Sequence, residues 1–327
     1  MGKQRLVSGI QPTGQMHLGN YLGAVQNWVT LQYEYDAYFM IVDLHALTTV
    51  YEDPSELRRR KYELALDLLG AGVDPEKACL FYQSDVRQHS ELHLVLSMIT
   101  PLPWLERVPT YKDKMADIKE KDLHTYGFLG YPVLQAADIL LYKGDVVPVG
   151  KDQLPHLELA REIVRRFNYL YKTALPEAEE KLTQFPILPG LDGKKMSKSY
   201  GNTLPISDSA EDLEKKVLRM VTDPGRVRRD DPGDPEICPV FAYHKLFTDA
   251  SEVSEIDTAC REASMGCVDC KRKCAASING LLSDFRKQRA HYEGQESLVN
   301  DILRKGAQKA NDVAEQTMSE IRSAIGL

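Results

Sequence analysis

The first half of the chain alternates short apolar runs, rich in β-branched and aromatic residues, with amphipathic stretches of helical period. Such runs are buried on both faces only in a parallel sheet covered by the intervening helices. Strands are expected over 5–10, 37–42, 77–83 and 146–149. Helices are expected from about His17, after Asp53-Pro54-Ser55-Glu56, over 91–99, around 112–121, and over 132–141 and 153–166. From about Asp208 the strand signal fades, and helical patterns over 210–221, 275–289 and 297–324 predict an all-helical second domain. The expected fold class is therefore α/β, a Rossmann-like parallel sheet with helices on both faces plus a C-terminal all-helical domain. The expected division is 1–205 and 206–327, with the last helix free to pack back on the first domain, a partition that suits 327 residues.

Composition narrows the function classes. A formal charge of -7 excludes a molecule that attracts polyanions as a whole, so a nucleic-acid site must be a local patch such as Arg226 with Arg228-Arg229 or Lys271-Arg272-Lys273. No apolar run approaches the roughly 18 residues that span a bilayer, so no membrane partner is expected and the cytoplasm is the expected location. Five of the six cysteines (Cys238, Cys260, Cys267, Cys270 and Cys274) crowd one short segment. In a reducing compartment such crowding favours metal ligation over disulfides.

The turn after the first strand, Gly9-Ile10-Gln11-Pro12-Thr13-Gly14, has the glycine spacing of a P-loop, but Gln15-Met16 stands where Lys-Ser/Thr is required, so that reading is rejected. His17-Leu18-Gly19-Asn20 follows at the start of the first helix. There an imidazole, a glycine and helix N-terminal amides can surround a polyphosphate. Far downstream, Gly190-Leu191-Asp192-Gly193-Lys194 leads into Lys195-Met196-Ser197-Lys198-Ser199, a glycine-flanked loop able to bring ammonium groups to a leaving pyrophosphate.

These two segments resemble the HIGH and KMSKS signatures of class I aminoacyl-tRNA synthetases, the first with Asn in place of the final His. Between them lie Ala136-Ala137-Asp138-Ile139-Leu140, Val147-Pro148-Val149-Gly150-Lys151-Asp152-Gln153 and Arg166-Phe167-Asn168. With Ser8 to Gly14, these blocks resemble the bacterial tryptophanyl-tRNA synthetase family over essentially the whole chain. The resemblance implies a homodimer that joins L-tryptophan to ATP, with Mg2+, and then charges tRNA(Trp). It implies catalytic roles for His17, Asn20, Lys195 and Lys198. It places ATP on Gln11, Pro12, Thr13, Gly19, Asn20, Gly150, Lys151, Asp152, Ile187, Lys195, Met196, Ser197, Lys198 and Ser199. It places tryptophan on Gln11, His45, Tyr131, Gln135, Asp138 and Gln153, with Asp138 accepting the indole N–H. By pattern alone, Asp138 reads equally as a carboxylate at a helix start and His45 as a polar residue at a strand end. Tyrosyl-tRNA synthetase, and a non-catalytic RNA-binding or redox-sensing relative, are the competing readings.

Cys238-x21-Cys260-x6-Cys267-x2-Cys270 supplies four thiolates, which suit either a 4Fe-4S cluster or tetrahedral zinc. A subset of the resembled family carries a 4Fe-4S cluster on nearly this spacing, one residue longer in the first gap. By thiolate chemistry zinc is the alternative, free thiols are a third reading and Cys274, four residues beyond Cys270, is the spare or substitute ligand; the resemblance implies 4Fe-4S. It also places the 206–327 domain at the anticodon, with Lys271-Arg272-Lys273 beside the cluster.

Overall fold

The computed structural model describes residues 2–108, 124–182 and 188–327. The helix expected around 112–121 lies outside the described residues. Five parallel strands, β1 (Arg5–Ile10), β2 (Asp36–Ile41), β3 (Ala78–Tyr82), β4 (Val146–Val149) and β5 (Glu179–Leu182), form one sheet in the order β3-β2-β1-β4-β5. β1 and β2 run in full register from Arg5↔Asp36 to Ile10↔Ile41. In β2, Tyr38 and Met40 enter the main core on one face, while Ala37, Phe39 and Ile41 are equally buried on the other, where Trp28 stacks on Phe39 at 4.4 Å. A strand buried on both faces needs the continuous apolar run that made it legible. β5 was not anticipated: its Glu179-Glu180-Lys181-Leu182 is a polar edge strand without a buried face.

The chain forms two compact units. The first comprises 1–13, 26–184 and 292–327, and the second 14–25 and 185–291. The turn carrying His17 groups with the second unit, and the last helix groups with the first.

In the first unit, the sheet carries α2 (Gln26–Leu31), α3 (Asp43–Val50), α4 (Leu57–Gly70), α5 (Gln88–Ser97), α6 (Leu102–Glu106), α7 (Tyr126–Leu141), α8 (Leu154–Tyr171) and the terminal α13 (Glu296–Ile325). α13 covers the edge strand β3. The Cys79 thiol donates to the Gly306 carbonyl at 2.9 Å, and a Cβ on Gly306 would lie 2.0 Å from the Leu80 carbonyl oxygen. No rotamer change relieves a clash with backbone, so Gly306→Ala is expected to cost about 3 kcal/mol or more, the upper end of overpacking. A urea midpoint unchanged from wild type would refute this close docking.

The second unit holds α1 (Leu18–Asn20), followed by a π-turn over Tyr21–Val25 where a continuous helix was expected. Its helices are α9 (Ala210–Leu218), α10 (Pro239–Phe247), α11 (Ala250–Arg261) and α12 (Cys267–Glu293). α10 and α11 went unread in the sequence, although Pro239 at the first helical turn is an initiation signal. No described helix is long and apolar enough to cross a membrane.

Candidate active site

The strand order places a topological switch between β1 and β4, where the connections leave in opposite directions and ligands gather at the carboxyl ends of strands. Gln11, Pro12 and Thr13 follow β1. Gly150 caps a short 3-10 turn (Lys151–Gln153) after β4. A Cβ on Gly150 would meet the Asp152 carboxylate at 2.7 Å, and Gln153 donates to that carboxylate at 3.2 Å. Lys151 and Asp152 are exposed.

Asp138 lies in the fourth turn of α7, not at a helix start, and is 3% exposed. Tyr131 and Gln135 sit two turns and one turn earlier on the same side of α7, and the Tyr131 hydroxyl is 3.3 Å from His156 Nε2. Asp138 Oδ1 accepts from Gln83 Nε2 and His89 Nδ1, both at 2.7 Å, and Oδ2 accepts from His45 Nε2 at 2.8 Å. Burial alone would raise this carboxyl's pKa, but the His89 and His45 imidazoles outweigh it and hold the group below the usual carboxylate range. His45 is thereby a buried partner of Asp138 within α3, not a solvated strand end. Sequence reading missed Gln83, His89 and Tyr142, whose hydroxyl lies 2.7 Å from His89 Nε2.

In the second unit the two signature segments meet. His17 caps α1, and its Nδ1 accepts the Asn20 N–H at 3.3 Å, so in the neutral ring Nε2 carries the proton and is free to donate. A Cβ on Gly19 would touch the imidazole at 3.0 Å and Met196 Sδ at 3.7 Å. Lys198 Nζ donates to the Gly14 carbonyl at 3.2 Å, and Gly14 has φ 140°, a conformation that favours glycine. Burial, and then the Lys198 ammonium, lower the His17 pKa to about 4. His17 is thus a neutral hydrogen-bond donor at physiological pH. Asn20 Oδ1 is buried and unpaired among the described residues.

The loop bearing Lys195 and Lys198 is clasped by Asn202, which sequence reading also missed. Its Oδ1 accepts the Ser197 N–H at 2.8 Å, and its Nδ2 donates to Asp192 at 2.7 Å and to the Lys195 carbonyl at 3.2 Å. Lys195 is exposed and Met196 buried. Ile187 and the side chain of Ser199 lie outside the described residues.

The depressed His17 pKa makes a stability prediction. The unfolded imidazole takes a proton near pH 6.5 and the folded one resists until about pH 4. The contribution is therefore complete above pH 6.5 and is lost as pH falls toward 4, on the order of 3 kcal/mol. Urea unfolding at pH 7 and pH 4.5 should show a loss that His17→Asn lacks; parallel slopes in the two proteins would contradict it.

The cysteines converge at one end of α12. Cys267 and Cys270 occupy its first turn, where unpaired amides favour negative charge, while Cys238 caps α10 and Cys260 lies near the end of α11. Burial, and then Cys238, Cys260 and Cys267, push the Cys270 thiol up to about 12. The Arg226 guanidinium stands 4.0 Å from Cys260 Sγ. His244, a buried neighbour that went unread, lies 3.5 Å from Cys270 Sγ. Among the described residues no group of three or more His, Cys, Asp or Glu side chains is arranged to hold a metal ion. Lys271, Arg272 and Lys273 each engage a local partner: the Leu218 carbonyl, Asp269 and Glu252.

Comparison with known proteins agrees with this geometry. The family described as "tRNA synthetases class I (W and Y)" matches residues 1–283, and the chain belongs to it. A tryptophan--tRNA ligase of Thermotoga maritima is 48% identical over 325 residues, covering 99% of each chain. One from Aquifex aeolicus is 42% identical, covering 99% of this chain and all of its own. The crystal structure of Campylobacter jejuni tryptophanyl-tRNA synthetase complexed with ADP and tryptophan superposes with a TM-score of 0.90 at 35% identity, over 99% of this chain and 100% of that one. Within the class, this enzyme groups with the bacterial tryptophan--tRNA ligases.

Proposed function

We propose that the chain activates L-tryptophan in the following way. The amino-acid carboxylate attacks the α-phosphorus of ATP; the bond to the bridging oxygen breaks, and pyrophosphate leaves with Mg2+ sharing its charge. No protein nucleophile is needed, so catalysis is positioning plus electrostatics. His17 donates from Nε2 to the phosphates, and Lys195 and Lys198 stabilise charge on the departing group. Gln11, Pro12, Thr13, Gly19, Asn20, Gly150, Lys151 and Asp152 hold the nucleotide, with Ile187 and the Met196-Ser197-Ser199 segment. Asp138 takes the indole N–H, with His45, Tyr131 and Gln135 around the ring, and Gln11 and Gln153 at the amino-acid head. The adenylate then charges tRNA(Trp), read by the 206–327 segment, in the cytoplasm. The observation that carries this reading is the contact between the two signature segments, Lys198 on the Gly14 carbonyl and Met196 against Gly19. Pyrophosphate exchange with tryptophan and with tyrosine in parallel tests it; exchange driven only by tyrosine would overturn it.

We also propose that Cys238, Cys260, Cys267 and Cys270 hold a 4Fe-4S cluster. Four soft sulfurs from one short segment, on a spacing within one residue of that of the cluster-bearing subset of the family, support this reading, with zinc as the alternative. When bound it supplies a rigid anionic crosslink among α10, α11 and α12. Anaerobically purified protein should be brown, with about four iron and four sulfide per chain; colourless protein with one zinc would sink the proposal.

The homodimer is a further proposal. Leu94, Met98, Leu102 and Tyr126, 56–74% exposed, lie on or beside α5, α6 and the start of α7, elements that pack together. Met98→Glu should convert the dimer to monomer in sedimentation.

A further inference from the structure

The hydrogen bonds around Asp138 have a direction. An ionised carboxylate only accepts, so His89 Nδ1 donates to Oδ1 at 2.7 Å. In the neutral ring Nε2 is then left as an acceptor, and the Tyr142 hydroxyl, 2.7 Å away, donates to it. That hydroxyl stays protonated, because burial and then the Asp138 charge raise its pKa well above the ordinary value. Gln83 is oriented in the same manner: its Oε1 takes the His45 backbone N–H at 3.4 Å, which turns Nε2 toward Oδ1.

The count of acceptor positions follows. Oδ1 receives two donors, from Gln83 and His89, and is full. Oδ2 receives one, from His45, and of the roughly four acceptor sites of a carboxylate one remains, on Oδ2. The tautomer is thus held from both sides of the ring, the carboxylate taking the Nδ1 proton and the Tyr142 hydroxyl occupying Nε2. With the proton on Nε2, a bare Nδ1 lone pair would face Oδ1, and the carboxylate would lose both a donor and its orientation.

We propose that His89 and Tyr142 are positioning residues for amino-acid selection. By holding the His89 proton on Nδ1 they fill Oδ1 and leave Asp138 one open acceptor, suited to an aromatic amino acid with a single ring N–H. This rests on the reading of Asp138 as the tryptophan acceptor. Tyr142 and His89 touch Asp138 or its partner, not substrate, and act through the carboxylate.

The test compares kcat/KM in pyrophosphate exchange for L-tryptophan and for 3-benzothienyl-L-alanine, which carries sulfur in place of the ring N–H. In wild type the ratio should strongly favour tryptophan; a ratio near one would refute the reading of Asp138 itself. Tyr142→Phe keeps the ring that stacks on Tyr38 at 4.9 Å and removes only the hydroxyl. The ratio should then fall about tenfold or more, through tryptophan alone, with the analogue's efficiency and the KM for ATP unchanged. His89→Asn keeps a donor near the Nδ1 position and should retain the ratio even combined with Tyr142→Phe, whereas His89→Gln, which moves the donor to the Nε2 position, should lose it. A large wild-type ratio that survives Tyr142→Phe, or that falls equally in His89→Asn and His89→Gln, would overturn the positioning role. Should Tyr142→Phe not fold, the two His89 variants decide the matter.

Discussion

Asp138→Asn is expected to lower kcat/KM for tryptophan by about 10³ to 10⁴ in pyrophosphate exchange, the scale on which a site built around a buried polar contact fails when that contact is lost. The asparagine amide offers one oxygen where the carboxylate offers two. Gln83, His89 and His45 all point donors at this group, so at least one meets an N–H, as does the indole. Loss of the buried charge-assisted bonds should also cost about 3 kcal/mol of stability. Assays must therefore run well below the variant's melting temperature, checked by circular dichroism. The wild-type carboxyl, held below its ordinary pKa by the imidazoles, contributes stability above about pH 4 that is lost as pH falls through its lower folded value; the amide variant should lack that acid limb. Efficiency within tenfold of wild type would show that Asp138 is only a structural hub.

Lys198→Met is expected to reduce kcat for adenylate formation by about 10² to 10³ with the KM for tryptophan unchanged, the loss seen when one preorganised donor to a developing charge is removed. Methionine preserves the stem beside Gly14 and removes only the ammonium. The variant has a second readout. Because the Lys198 charge depresses the His17 pKa, second only to burial, removing it should raise that pKa above about 4 in an NMR titration. A normal kcat would remove Lys198 from the chemistry, and an unmoved His17 pKa would show that the two groups do not sense each other.

Four of the five strands were legible because the information is local. β1 to β4 are runs of apolar residues bounded by turn signals, whereas the exposed β5 has no such signature. The signature segments were legible for the same reason, each being a contiguous word. Asn202 was not, because its bonds to Asp192, Lys195 and Ser197 exist only once the hairpin has closed. His89 and Tyr142 were equally silent: they stand in separate elements 53 residues apart and resemble ordinary core residues until α5 and α7 pack.

By itself the sequence determined the parallel sheet, the family and which residues could carry charge to a phosphate, since these depend on residue type and on neighbours a few positions away. Tertiary structure alone decided that His17 is neutral, that Asp138 is ionised with one oxygen filled, and that the last helix belongs with the sheet. Ionisation, tautomer and edge covering depend on burial and on partners brought from distant parts of the chain, and no local pattern encodes either.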